Sequence, residues 1–190
     1  LDNDGHLDVA SALDSATVVW TGPFTVGEIP DPTSGYAGVN DFTNKLVDVG
    51  DVSGDGVDDL AIWNPRDDEV DVYFGPIVPG GHCYDVFRDE CGTPDLILYL
   101  TPDGWWSAPH VSQLRVNDMD GDGANDVVML FGSSGGGDAS ARVAVLYGPF
   151  PASRHISQGR SAALRAPSRN VGGGALEFGD FDADGLTDVV

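Results

Sequence analysis

Basic residues are scarce in this chain. Nine Lys and Arg stand against 31 Asp and Glu, for a formal net charge of −22 over 190 residues. A surface of that sign repels phosphate backbones and anionic bilayers, which argues against nucleic acid and against binding to membranes through basic patches. No run of about 18 apolar residues occurs, so the sequence offers no membrane-spanning helix. Four histidines, His6, His82, His110 and His155, share no metal-ligand spacing. The two cysteines, Cys83 and Cys91 in HCYDVFRDEC, fit neither a C-x-x-C redox pair nor a zinc pair. There is no G-x-S-x-G elbow and no phosphate-binding loop with its lysine, so no catalytic residue is assigned and the chain is not expected to be an enzyme.

What is abundant is aspartate and glycine. The chain is 41% apolar with 26 Gly and 12 Pro, the composition of an ordered, turn-rich globular protein, here expected to be all-β. Charge repulsion of this size opposes compaction unless cations neutralise part of it.

The aspartates fall into four copies of one motif: LDNDGHLD at 1–8, DVSGDGVDD at 51–59, DMDGDGAND at 118–126 and DFDADGLTD at 180–188. The last three match D-x-[DS]-x-D-G-x-x-D in full. The first matches from its second position, so the natural chain is expected to continue before residue 1. Apolar and polar residues alternate ahead of the loops, with Val47, Leu114 and Leu176 aligned, then Asp48, Arg115 and Glu177, then Val49, Val116 and Phe178. That period of two predicts a half-buried strand. The short apolar runs after the loops, LAIW and VVML among them, predict strands buried on both faces. A third element recurs as VVWTGPF, VYFGP and VLYGPF, an aromatic-bearing strand stopped by Gly-Pro.

The third motif position falls at Asp2, Ser53, Asp120 and Asp182, spacings that predict repeated sheets of about four antiparallel strands. The whole of 1–190 is read as one repeat domain, with units near 1–50, 51–117 and 118–179 and the start of another at 180–190. An insertion occupies about 77–110, where Cys83 and Cys91 are expected to form a disulfide, stabilising by about 2 to 3 kcal/mol and implying an oxidising compartment. The Gly/Ser run GSSGGGDAS is expected to be a hairpin tip.

Together the aspartate loops and the Gly-Pro strands resemble the FG-GAP repeats of integrin α-subunit propellers and their bacterial relatives. The second halves of the repeats lack a clear GAP-type signature. The resemblance implies blades of a β-propeller, partial or open here because three inter-loop units do not close a ring, with calcium loops between blades. It also implies an extracellular, secreted or cell-surface module for adhesion, protein–protein contact or filament assembly.

The loops carry their own chemistry. Calcium takes 6 to 8 oxygens at about 2.3 to 2.6 Å, and a tight loop supplies them from alternate positions. The expected ligands are Asp118, Asp120, Asp122, the Ala124 carbonyl and Asp126; Asp51, Ser53, Asp55, the Val57 carbonyl and Asp59; Asp180, Asp182, Asp184, the Leu186 carbonyl and Asp188. The first site keeps Asp2, Asp4, the His6 carbonyl and Asp8, and is incomplete, giving up to four sites. An EF-hand is disfavoured, since its bidentate Glu at position 12 is replaced by Ile62 or Met129 inside an apolar strand. Ser53 replaces a carboxylate, so the second site is expected to be the weaker. Trp105 and Trp106 offer flat faces for a sugar or a protein partner, the basis of an alternative reading as a carbohydrate-binding or carrier module of a polysaccharide-active enzyme. Arg142, Arg154, Arg160, Arg165 and Arg169 gather in the last third and are a candidate dock for an acidic surface.

Overall fold

A computed structural model describes residues 2–13, 16–24, 36–39, 46–65, 67–77, 84–85, 93–100, 110–132, 142–155, 161–165 and 175–190. In chain order the strands are β1 (Val9–Leu13), β2 (Ala16–Trp20), β3 (Tyr36–Val39), β4 (Val47–Gly50), β5 (Asp59–Asn64), β6 (Glu69–Tyr73) and β7 (Tyr84–Asp85). They continue with β8 (Leu96–Tyr99), β9 (His110–Asn117), β10 (Asp126–Gly132), β11 (Arg142–Leu146) and β12 (Arg154–His155), then β13 (Ser161–Arg165), β14 (Phe178–Gly179) and β15 (Asp188–Val189). The described residues contain no helix, and the all-β expectation holds.

Four sheets form, in strand orders β1-β2-β3-β7, β4-β5-β6-β8-β12, β9-β10-β11-β13 and β14-β15. Sequential strands pair antiparallel within each, as short connections favour. Each complete aspartate loop joins two neighbouring strands of one sheet: β4 pairs β5, β9 pairs β10 and β14 pairs β15 across it. The loops therefore cap a hairpin within a sheet and do not connect one sheet to the next, which corrects their expected placement between blades. Next to each loop the strand before it registers residue for residue with the strand after it, Val47 opposite Ile62 and Val49 opposite Leu60, leaving the intervening residues to wind as a cap; farther from the loop β9 and β10 slip by one residue between Leu130 and Phe131.

Alternation along β5 and β10 explains the stacking. Leu60 and Ile62 pack with Val19 of the first sheet, while Ala61 and Trp63 pack with Val127, Met129 and Phe131 of the third. On β10 the other face, Val128 and Leu130, meets Leu176, Phe178 and Val189 of the fourth. Both strands are thus buried on both faces, as their unbroken apolar runs predict. Each large side chain so buried stabilises by about 1.5–3 kcal/mol. Asp48, read as the exposed partner in an alternating strand, instead faces the third sheet and accepts the Val116 N–H at 2.7 Å, tying β4 to β9.

Two short strands pair backwards. β7 lies parallel to β3, and β12 lies parallel to β8, so the segment following a Gly-Pro turn returns to the outer edge of the preceding sheet. Ser153 fixes the second of these by accepting the Ile97 N–H at 2.9 Å. Beside it Arg154 stacks 4.4 Å above Phe150 and donates to the Tyr147 carbonyl. The Gly/Ser run at 133–140 lies outside the described residues, but its flanks are partners, Phe131 opposite Arg142, as a hairpin requires.

Candidate metal centre

Each loop is wound by its own carboxylates. Asp118 accepts the N–H of Gly121 at 2.7 Å on one oxygen and of Gly123 at 3.0 Å on the other. Asp120 accepts from Asp122, and Asp122 from Ala124. The same scheme holds in the second loop, where Asp51 accepts from Gly54, Asp55 and Gly56 and Asp55 accepts from Val57. In the fourth, Asp180 accepts from Asp184 and Gly185, and Asp184 from Leu186. In the first, Asp2 accepts from Asp4 and Asp4 from His6. Asp and Asn favour such bonds to backbone two residues on.

The winding needs two left-handed residues per loop. The sixth position is glycine throughout, with φ from 86° to 94° at Gly5, Gly56, Gly123 and Gly185. The fourth position is also left-handed, and there Gly54 and Gly121 alternate with Asn3 at 61° and Ala183 at 64°. The sequence signal for this second position was present in two glycines and an asparagine, the residues most tolerant of that region.

The geometry brings three carboxylates together in three of the four loops. Ligand oxygens of Asp2, Asp4 and Asp8, of Asp118, Asp120 and Asp122, and of Asp180, Asp182 and Asp188 lie within 4.8 Å of one another. Asp126 and Asp184 fall outside those groups, and the second loop, with Ser53, forms no such group among the described residues. The residues that carry the position-7 carbonyls, His6, Val57, Ala124 and Leu186, each donate their N–H to the position-5 carboxylate. Clustered acidic oxygens without sulfur or imidazole suit a hard cation such as calcium.

The ninth position has a role that the motif alone did not reveal. Asp59, fully buried, accepts Val52 and Ser53 N–H groups on one oxygen and the Gly75 N–H on the other. Asp126 does the same with Met119 and Gly148, and Asp8 with Asp2 and Gly22. This aspartate thus fastens the start of the loop to the Gly-Pro turn. All three glycines precede a cis proline. A Cβ on Gly22, Gly75 or Gly148 would lie 2.5–2.7 Å from the carbonyl oxygen at loop position eight, so glycine is required there for close approach. Burial, opposed by the N–H groups of Gly148 and Met119 and reinforced by the charges of Asp120 and Asp118, pushes Asp126 up to about 6. Burial raises Asp59 as well.

Loops of successive sheets lie side by side. Asn125 donates to the Asp51 carbonyl at 2.7 Å, Gly54 sits against Ala124 and Pro149, and Gly121 against Leu186. Cys83, Cys91, Trp105 and Trp106 lie outside the described residues, as do Arg160 and Arg169. Compared with protein-family models, curated proteins and solved structures, the chain matches none of them.

Proposed function

We propose that this chain is a calcium-binding repeat module of the FG-GAP, β-propeller kind, working outside the cytoplasm in adhesion, protein contact or surface assembly, with no chemistry of its own. The observation that carries it is the convergence of three carboxylates in each of three equivalent loops. Bringing three negative oxygens within 4.8 Å is unfavourable unless a cation or protons offset it. Calcium here is structural, holding the hairpin cap closed.

Support for the propeller comes from sheets stacked face to face whose backbones come closest along one edge, β1 against β4 and β4 against β9. A wedge of that kind is what radial blades require. Support for an assembly partner comes from the outer face of the first sheet. Val9 is 47% and Phe24 43% exposed, although their equivalents Leu60, Val127, Ile77 and Phe150 are covered by a preceding sheet. A sheet of the same kind fits that face.

The test is calcium titration of chelator-treated protein by calorimetry, followed by thermal melting. Saturable binding of several ions with a higher melting temperature is expected; by mass action, calcium at a hundred times its Kd adds about 2.7 kcal/mol per site. Absence of stoichiometric binding together with an unchanged melting curve overturns the proposal.

A further inference from the structure

We propose a second kind of cation site, separate from the aspartate loops, in the interface between the first and second sheets, where Asp71, Glu69, Asn64 and Thr17 hold calcium. The repeat itself exposes this site. Counted from the Gly-Pro glycine, Thr17 and Val70 are equivalent, as are Asp71 and Ala144; counted from the ninth loop residue, Asn64 and Phe131 are equivalent. The interface between the second and third sheets is filled at these places by Val70, Phe131 and Ala144. Between the first and second sheets the same three places hold Thr17, Asn64 and Asp71. One coherent apolar patch has been replaced by a polar one.

Their direction follows from alternation. Thr17 stands two residues before Val19, Asn64 two after Ile62, and Asp71 two before Tyr73, and those three apolar residues pack together in this interface. Thr17 is 2% exposed and its Oγ1 has no hydrogen-bond partner; Asp71 is 5% exposed and its Oδ1 has none either. Buried polar atoms are normally satisfied, so two orphans facing one space from opposite sheets point to something that bridges them.

The electrostatics call for a positive charge. The Asn64 amide contacts Asp67 at 3.2 Å, Glu69 at 3.4 Å and Asp71 at 3.3 Å. An amide has two hydrogens for these three carboxylates. Among the described residues the charges acting on Glu69 are negative, from Asp71 and Asp67, and the charge acting on Asp71 is that of Asp67, while Asn64 and Glu69 hydrogen-bond to the Asp71 carboxylate. Burial first, then the charges of Asp71 and Asp67, raises Glu69 to about 7; burial, opposed by the hydrogen bonds from Asn64 and Glu69, raises Asp71 to about 6, so protons occupy the cage when no cation does. The donors are the carboxylate and hydroxyl oxygens, joined by the Asn64 Oδ1 once its amide, which now turns its NH2 to the carboxylates, flips over; two carboxylates match a divalent ion. Asp67, exposed at the hairpin, marks the way in.

Native mass spectrometry and calorimetry with calcium alone, on the full chain at pH 8, test this against the Glu69→Gln/Asp71→Asn double variant. The double variant is expected to bind one ion fewer, whereas Asp180→Asn/Asp182→Asn removes a loop ion and leaves the interior one. Thr17→Val, which copies Val70 and keeps the packing, serves if the double variant misfolds; it is expected to weaken only the interior site, on the order of tenfold. If the loops bind nothing, the interior site still shows as one ion lost on double substitution. Equal stoichiometry in wild type and double variant, or unchanged affinities in Thr17→Val, overturns the proposal.

Discussion

The Gly148 amide donates to Asp126 Oδ1 at 2.8 Å, bridging two elements that are 22 residues apart. The same bond joins Gly75 to Asp59 at 2.9 Å and Gly22 to Asp8 at 2.8 Å. The ninth aspartate of the motif is thus a clasp as well as a candidate ligand. Asp59→Ala takes the acceptor from the Ser53 and Gly75 N–H groups, the Val52 N–H keeping the Gly50 carbonyl, and urea unfolding in chelator is expected to show a loss of about 2 kcal/mol or more. Gly75→Ala places a Cβ 2.5 Å from the Asp58 carbonyl and is expected to destabilise by about 2 kcal/mol or more even though the carboxylate remains.

Ala183 occupies a left-handed position that Gly54 and Gly121 fill in other loops. Ala183→Gly is expected to stabilise the chain by about 0.5–1 kcal/mol, and Gly123→Ala to destabilise it by about 1–2 kcal/mol. Chemical denaturation at fixed calcium reads both.

Ser53 leaves the second loop without a third clustered carboxylate. Ser53→Asp is expected to raise that loop's calcium affinity on the order of tenfold, seen as one added tight site by calorimetry. The chelated form of the variant is expected to melt lower than the chelated parent, because the new charge is then uncompensated.

In the absence of calcium, pH has an unusual sign. Burial holds Glu69 at about 7, and Asp71 and Asp126 at about 6, above their ordinary values near 4. Folding therefore takes up protons between about pH 4 and 7, and the melting temperature of chelated protein is expected to rise as pH falls from 8 to 5. Among the described residues the groups around Asp71 and Glu69 are Asp67 and Asp68 in the hairpin, Asn64, whose amide contacts both, Thr17 across the interface, and Tyr99, opposite Glu69 and stacked on His155. With saturating calcium the trend reverses, since the ion requires the deprotonated carboxylates.

Packing between sheets gives the last prediction. Met129 is fully buried between the second and third sheets, while Leu164 is half exposed at the edge of the third. Met129→Ala is expected to cost about 2–5 kcal/mol, and Leu164→Ala less than about 0.5 kcal/mol, in denaturant midpoints.

The sequence by itself determined the local structure, since the relevant interactions are local. A carboxylate that bonds the N–H two residues on, a glycine that must turn left-handed at position six, and an apolar run buried on both faces are each written in adjacent residues. So the loops, their flanking strands and the double-sided burial of Leu60 to Trp63 and of Val127 to Phe131 were legible. Only the tertiary structure decided what lies across gaps of variable length or between sheets. The clasps span 14, 16 and 22 residues, so no fixed spacing marks them. The parallel returns of β7 and β12 are two residues long and carry no periodic signal. Asp48 looked solvent-facing until a neighbouring strand offered it an N–H, and Thr17 and Asp71 looked ordinary until stacking buried them in the same interface. The reason is common to all of these: a polar group's partner, or its lack of one, is fixed by whatever surface folds against it.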